Sequence, residues 1–480
     1  MAVLAGGLSK CLLFRNLQYW RPDFASFLEM TWSWLYAGRL LHDNVFGYHG
    51  AIHNFYLMLA FAPMTIALGA YGLILGLVLL HCAAVLRVAT CGALDRSARL
   101  TILAGYLGPF ACYTFDHPEW GFHPELLYPP LALLLAVELL EASGWRWVAV
   151  AGAIVLVKED GAVVCAAVVL AHTVWRVSTL RQVSAEESRR ALRTGLVRLL
   201  VLTAVFLVGI AVLWAVSRHF APPYASFSVR LSESLEVLGR TLMGRGRPFK
   251  LVRIEEALRA YALISLLMLV PLGRRLPKGL LLFVCAALPL IAVLLVSSAS
   301  YVFDMMLWPP RLATLQAAVC AALVFASVTA HGSRSERAAV VVVLAALSWG
   351  AQLAVLHLVD YSFWSRVEAV TAGSRPGQSQ LTGPEERFLR CVSARLPRGL
   401  PMSAVRGTHP VFHRQSIVFE RGMMHAWHPP RLRVVPSSDV AAPSGGICRG
   451  PEVGAFAVEA ECDLMPLVAS CGLVAAPGGH

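Results

Sequence analysis

The sequence predicts an all-α polytopic membrane protein, a bundle of about 9–11 membrane segments, followed by a small C-terminal extracytoplasmic α/β domain. Three observations carry that expectation. Mean hydropathy is +0.63 and only 15% of residues are charged, which excludes a soluble protein for most of the length. Apolar runs recur from about residue 54 to 359, many of them near the ~20 residues that cross a bilayer as a helix. From Asp360 onward the composition becomes that of a soluble domain, rich in Pro and Gly with mixed charge. The division is therefore 1–359 for the membrane domain with its external loops and 360–480 for the exported domain.

Taken in order, Met1–Gln18 is weakly apolar and broken by Lys10 and Arg15, so it reads as a poor first helix or a remnant of one rather than a cleavable signal. Spans follow near 54–67, 70–90, 97–115, 126–142, 147–175 (interrupted), 197–216, 257–271, 279–297, 311–330 and 337–359. The net charge of +12 does not indicate nucleic acid as a partner. Its arginines crowd the short loops Arg87–Arg99, Arg176–Arg198, Arg274–Lys278 and Arg334–Arg337, where they act as topology signals. Placing these four loops in the cytoplasm puts residues 19–53, FDHPEWGFHPE (115–125), the 217–256 loop, 297–311 and everything after 360 outside. It also requires an even number of crossings between Glu141 and Arg176, so 147–175 is expected as two half-spans around Lys158-Glu159-Asp160.

The exported domain contains Cys391, Cys448, Cys462 and Cys471, enough for two disulfides whose pairing the sequence leaves open. The other seven cysteines sit in or near apolar segments as small core residues. The tail 435–480 carries few strand or helix signals.

Polar residues that could do chemistry gather on the external side. Asp23 and Glu29 stand six residues apart, and HDNVFGYHGAIHNFY brings His42, Asp43, His49 and His53. Asp23 also fits a helix cap, and His42 and His49 read as ordinary loop residues. FDHPEWGFHPE repeats a His-Pro-Glu triplet, and its prolines also suit helix starts. Lys158, one of four lysines, stands with Glu159 and Asp160 between apolar half-spans; ionisable groups there are expensive, and function is the default reading. Asp304 and Arg311 flank Trp308-Pro309-Pro310. Imidazole beside carboxylate can hold a divalent metal, relay a proton or bind phosphate. Six-residue spacing is no zinc signature, so no cofactor is certain and a divalent metal stays an option. A carboxylate acting as general base on an acceptor hydroxyl is chemically simpler.

These residues resemble an uncharacterised bacterial family of polytopic membrane proteins, distantly related to the GT-C class of lipid-linked-sugar glycosyltransferases. The family's early Asp, Gln six residues later and following Trp are matched in spacing by Asp23, Glu29 and Trp32, with Glu in place of Gln. Its His opening the next apolar segment matches His53, its Phe-His-Pro-Glu matches Phe122–Glu125, and its Lys-Glu-Asp matches Lys158–Asp160. PMSAVRGTHPVFHRQSIVFE (401–420) echoes a strand and Pro-His-rich turn, so the resemblance runs from about residue 20 to 425. The family's full helix before the early Asp is short or missing here, and its His-Tyr pair near residues 304–308 is replaced by Asp-Met-Met-Leu-Trp.

The resemblance implies a GT-C-like bundle that takes a sugar from a polyprenyl-phosphate donor, with membrane lipid around it and the active site at the outer face. By position, Asp23 becomes the base or metal ligand, with Glu29 and Glu125 as further catalytic carboxylates. Lys158 is expected on the phosphate with Glu159 orienting it, and His53, His123, Asp160 and Arg311 as substrate-binding neighbours. Two other classes stay open. A lipid or polymer transporter also breaks helices around buried charge, but no internal repeat is visible. A non-catalytic GT-C-like scaffold is favoured by the two departures. Neither the sugar, the acceptor nor any protein partner is named by a motif.

Overall fold

The computed structural model describes residues 2–15, 23–36, 38–43, 47–115, 121–141, 144–220, 248–298, 309–328, 338–358, 381–405, 408–412, 414–419, 430–440 and 446–474, with isolated positions between 232 and 243. Asp304, Asp116, His117 and Glu119 lie outside them, as does the stretch that joins the two domains.

The N-terminal domain is a helical bundle, and the protein is an integral membrane protein. Among the described residues, five helical stretches are long and apolar enough to cross a bilayer: Ala70–Thr90, Gly161–Leu180, Ala185–Phe220, Arg259–Val293 and Ala338–Leu356. The fourth turns at Gly273, whose φ of 56° and ψ of −120° break the helix, so it supplies two of the expected spans.

In chain order the helices are α1 (Ala2–Arg15), α2 (Asp23–Tyr36), α3 (Ala62–Leu68), α4 (Ala70–Thr90), α5 (Arg96–Tyr106), α6 (Pro109–Phe115) and α7 (Tyr128–Glu141). There follow α8 (Arg146–Val155), α9 (Gly161–Leu180), α10 (Ala185–Phe220), α11 (Pro248–Leu269), α12 (Leu276–Ser298), α13 (Pro309–Ser327) and α14 (Ala338–Leu358). At the centre stands α13, buried at every position from Leu312 to Ser327 and enclosed by α5, α7, α9 and α12. A helix apolar on all sides belongs in such a core. Peripheral helices instead turn apolar residues outward, as at Leu196, Leu200, Leu207 and Val208 of α10 and Val342, Val343 and Leu347 of α14, the pattern expected against lipid. Arg87 pins α4 to α7, with Nε 2.5 Å from Glu138 and a second bond to Glu141.

Several boundaries differ from the sequence reading. Residues 97–115 form two helices, α5 and α6, rather than one. The basic stretch Arg176–Arg198 is almost wholly helical: α9 continues to Leu180 and α10 begins at Ala185. Apolar length marks where a helix crosses the membrane, not where it ends, so polar turns beyond the bilayer escape a hydropathy reading. Lys10, read as a break in a poor first helix, is fully buried inside α1 and donates from Nζ to the Phe115 carbonyl at the end of α6 (2.6 Å). An ammonium at a helix C-terminus meets the negative end of its dipole.

The C-terminal domain is α/β. Its five-stranded sheet has the order β4 (Ser416–Phe419), β3 (Pro401–Ala404), β5 (Leu432–Pro436), β7 (Phe456–Glu461) and β6 (Ile447–Val453). The β3–β4 and β3–β5 pairs are parallel, and β5–β7 and β6–β7 are antiparallel. Helix α15 (Gly383–Arg395) covers it, opening on a capping box between Thr382 and Glu385. The disulfides are Cys391–Cys471 and Cys448–Cys462, one of the three available pairings. The tail after 435, poor in signals, nevertheless contains β6 and β7; there, ladder pairing and the Cys448–Cys462 link supply what local propensity does not.

This domain rests on α2. Ala25 packs against its core, and Arg398 Nη1 donates to the Tyr36 hydroxyl at 3.1 Å. A Cβ on Gly399, which has φ +73°, would stand 3.0 Å from that of Tyr36, so a side chain there would press on the seat.

Candidate functional site

The interrupted span sets the site. Helix α8 stops at Val155, α9 starts at Gly161, and Lys158, Glu159 and Asp160 occupy the break. A Cβ on Gly161 would fall 2.1 Å from the Ile154 carbonyl oxygen, so the chain can double back this tightly only because residue 161 has no side chain. Three segments distant in sequence close on the break. The Leu57 N–H donates to the Leu156 carbonyl (2.8 Å), bringing the 3₁₀ turn Tyr56–Phe61 to it. The turn Pro124–Leu127 brings His123 and Glu125, and the first residue of α7 brings Tyr128.

Lys158 Nζ donates to Glu125 Oε1 at 2.6 Å, and the side chains are 8% and 1% exposed. His123 Nδ1 bonds the other Glu125 oxygen. His53 Nδ1 lies 2.8 Å from Glu159 Oε1, and the Asn54 N–H reaches Glu159 Oε2 at 3.4 Å. The Tyr128 hydroxyl donates to Asp160 Oδ1. Each carboxylate of the break therefore has its own donor from another segment, as buried charge requires. Burial pushes Glu125, in the turn ahead of α7, upward, but His123 and Lys158 outweigh it and hold its carboxyl well below the usual carboxylate range. It stands as an anion at neutral pH.

A second polar group lies against the first. His49 Nε2 stands 2.5 Å from Asp43 Oδ2, Ser26 of α2 donates to the same oxygen, and Ser26 Oγ is 3.4 Å from His49 Nε2. All three are buried. His49 and Asp43 are brought together by a tight hairpin, β1 (His42–Asp43) pairing antiparallel with β2 (Gly47–Tyr48). Aromatic rings join the two groups. Phe27 has its ring centroid 4.7 Å from that of His123 and 6.4 Å from that of His49, and Phe55 stands 5.0 Å from His53 and 5.9 Å from His49.

The structure thus brings together His53, His123, Glu125, Lys158, Glu159 and Asp160. It pairs Lys158 with Glu125 by hydrogen bond while Glu159 takes His53, a different partnership from Glu159 orienting Lys158. Glu29 is buried on α2; at about 100° per residue it emerges some 160° from Phe27 and about 60° from Ser26. Asp23 is the first residue of α2, one turn before Phe27, and Arg311 is in the first turn of α13; their side chains lie outside the described residues. Ser26 and Tyr128 were missed, and Asp43 and His49, named among the external polar residues, were not assigned to the site. The signal for Asp43 and His49 was HDNVFGYHG, two imidazoles and a carboxylate across a glycine-bearing turn, discounted because a lone loop histidine is common. Among the described residues no group of three or more His, Cys, Asp or Glu could hold a metal ion.

Chemically, the cluster offers carboxylates able to accept a proton, imidazoles able to carry one, and a buried ammonium able to face a phosphate. No family model matches the chain, and no curated protein matches it. Among solved structures it is similar to the crystal structure of ArnT from Cupriavidus metallidurans bound to undecaprenyl phosphate, at 13% identity and a TM-score of 0.46, with 99% of each chain covered.

Proposed function

We propose that the protein is a GT-C-like glycosyltransferase of the bacterial inner membrane, moving a sugar from a polyprenyl-phosphate donor to an acceptor at the outer face, where its C-terminal domain also lies. The observation that carries this reading is the union of Glu125, His123, Lys158, Glu159 and His53 at a helix break. Charges this buried are maintained at a cost, and a lipid-linked phosphate with a reacting hydroxyl uses all of them. The order and spacing of the Asp23, Phe122–Glu125 and Lys158–Asp160 motifs support the class.

In this reading Asp23 takes the proton of the acceptor hydroxyl as that oxygen attacks the anomeric carbon. The bond from that carbon to the phosphate oxygen breaks, and the polyprenyl phosphate leaves with the electron pair. Lys158 and His123 balance the leaving phosphate, with Glu125 holding both in place before the donor arrives. His53 and Glu159 position the sugar side of the break. Asp23 opens the helix that also carries Phe27 and Ser26, which supports a role beside the cluster.

The test reads a product common to every donor. Reconstituted protein, given a panel of polyprenyl-phosphate sugars and an outer-envelope acceptor fraction, is assayed for free polyprenyl phosphate. Asp23→Asn should cut its release by about 10²- to 10⁴-fold, the usual worth of a general base, with expression unchanged. Undiminished release in Asp23→Asn removes the assigned base. Movement of intact lipid-linked sugar across the vesicle without release favours the transporter.

A further inference from the structure

The two helices of the α9–α10 hairpin touch where Gly195 of α10 meets Thr173 of α9. A Cβ at 195 would stand 2.3 Å from Thr173 Oγ1 and Cγ2, so glycine alone permits this approach. Beside the contact the helices part around a cavity of about 310 Å³. Its wall includes Arg176, Arg190, Arg198, Glu187 and His172, with Leu180 and Ala191 as apolar patches. Three arginines against one glutamate leave the wall net positive by two charges.

Short-loop arginines acting only as topology signals need no cavity and no fixed geometry. These come from two packed helices. Arg198 is held with its guanidinium 4.7 Å from the centre of the Trp147 ring. Arg190 is tied to Glu186, whereas Arg176 and Arg198 have no carboxylate partner among the described residues. His172 is 4% exposed and packed against Trp175 and Phe325, with centroids 5.7 and 5.3 Å away. Its ring nitrogens make no hydrogen bond among the described residues, and the ring lines the cavity. A buried imidazole without a donor or acceptor of its own normally has a ligand or water to meet.

We infer that this cavity binds a phosphate-bearing anion, Arg176 and Arg198 supplying charge and forked donors and His172 an N–H. A guanidinium pair fits phosphate oxygens in geometry as well as charge. The anion is either the headgroup of an anionic phospholipid or free phosphate; basic pockets between membrane helices suit the former, as do Leu180 and Ala191. It is not the donor phosphate of the proposed reaction. Arg176 stands sixteen residues along α9 from Asp160, about 24 Å of helix, at the other end from the break.

Two probes test it on the full chain. Wild type, R176Q/R198Q and E187Q are titrated with inorganic phosphate in detergent. Each is also placed in phosphatidylcholine nanodiscs containing phosphatidylglycerol, and the retained anionic lipid is counted by native mass spectrometry. Saturable binding should weaken at least about tenfold per arginine removed in R176Q/R198Q, each guanidinium–phosphate contact being charge-assisted. It should tighten in E187Q, an exposed change that removes only repulsion and leaves the fold alone. Retention of phosphatidylglycerol without a phosphate response identifies a lipid site, and a phosphate response identifies a site for the free ion. Wild type and R176Q/R198Q binding both probes alike would overturn the assignment, as would an E187Q protein that binds no tighter than wild type.

Discussion

Replacing Glu125 by Gln keeps shape and removes one charge from a pair buried on both sides. At 2.6 Å between Lys158 Nζ and Glu125 Oε1, an effective dielectric near 20 gives a gross attraction of about 6 kcal/mol. Desolvation of both ions consumes much of it, so the net worth of the pair is smaller. Removing one partner nevertheless leaves the other charge stranded, which costs about 3–5 kcal/mol. Glu125→Gln strands Lys158. Lys158→Met strands Glu125, which keeps His123 as a donor and so falls at the lower end. The double variant strands neither ion and should lose far less than the sum. The cycle predicts a coupling of about 3 kcal/mol, measured by equilibrium unfolding of the four proteins in mixed detergent micelles. Additivity within about 0.5 kcal/mol, as between distant sites, would refute the claim that these residues form one buried pair.

Three further outcomes are expected. Mass spectrometry of protein purified without reductant should recover Cys391–Cys471 and Cys448–Cys462 peptides and no other pairing. Serine pairs replacing them should cost roughly 4.5 and 3 kcal/mol, since the closed loops span 80 and 14 residues. In the C-terminal domain, burial raises Glu385, but the N–H groups of Ala455 and Thr382 and the Thr382 hydroxyl outweigh it and hold the carboxyl below its ordinary value. Its contribution is therefore present above the unfolded-state value and lost as pH falls through the folded one. Unfolding of wild type and Glu385→Gln should differ by about 1–2 kcal/mol at neutral pH, the worth of a cap, and converge in acid; a constant gap would contradict this. Finally, cysteine labelling at Ser184 and Ser374 should report opposite sides of the membrane, and labelling from the same side would overturn the external placement of the C-terminal domain.

What could be read from the sequence followed the physics of each element. Apolar length announced α4, α9 and α14 within a few residues, because burying or lipid-facing a whole helix leaves an unbroken run. The break at Lys158–Asp160 was legible for the complementary reason: three ionisable residues cannot continue such a run unpaired. Partnership was not legible. That Glu125 rather than Glu159 binds Lys158 depends on how the Pro124–Leu127 turn meets the α8–α9 break, a contact across 33 residues. Ser26 escaped notice because a serine in an apolar helix is unremarkable until a hairpin of two short strands delivers Asp43 and His49 to it. The β6–β7 pair stayed hidden since its order comes from a partner strand and a disulfide, neither of which leaves a periodic trace.

Helix α2 has two jobs on opposite sides. At about 100° per residue, Ala25, Trp32 and Tyr36 share one direction within about 20°, and Phe27 points about 200° from Ala25. One edge carries the C-terminal domain through Ala25 and Tyr36, and the other sets Phe27 against His123. Both contacts fall within the roughly 21 Å of this one helix. If α2 moves as one body, a tilt of the C-terminal domain on its seat shifts the Phe27 ring relative to His123 and His49, and a ligand that fixes that ring steadies the domain in return. Coupling between two sites is reciprocal by thermodynamic necessity, so the C-terminal domain is a handle on the Glu125–Lys158 cluster through a single helix.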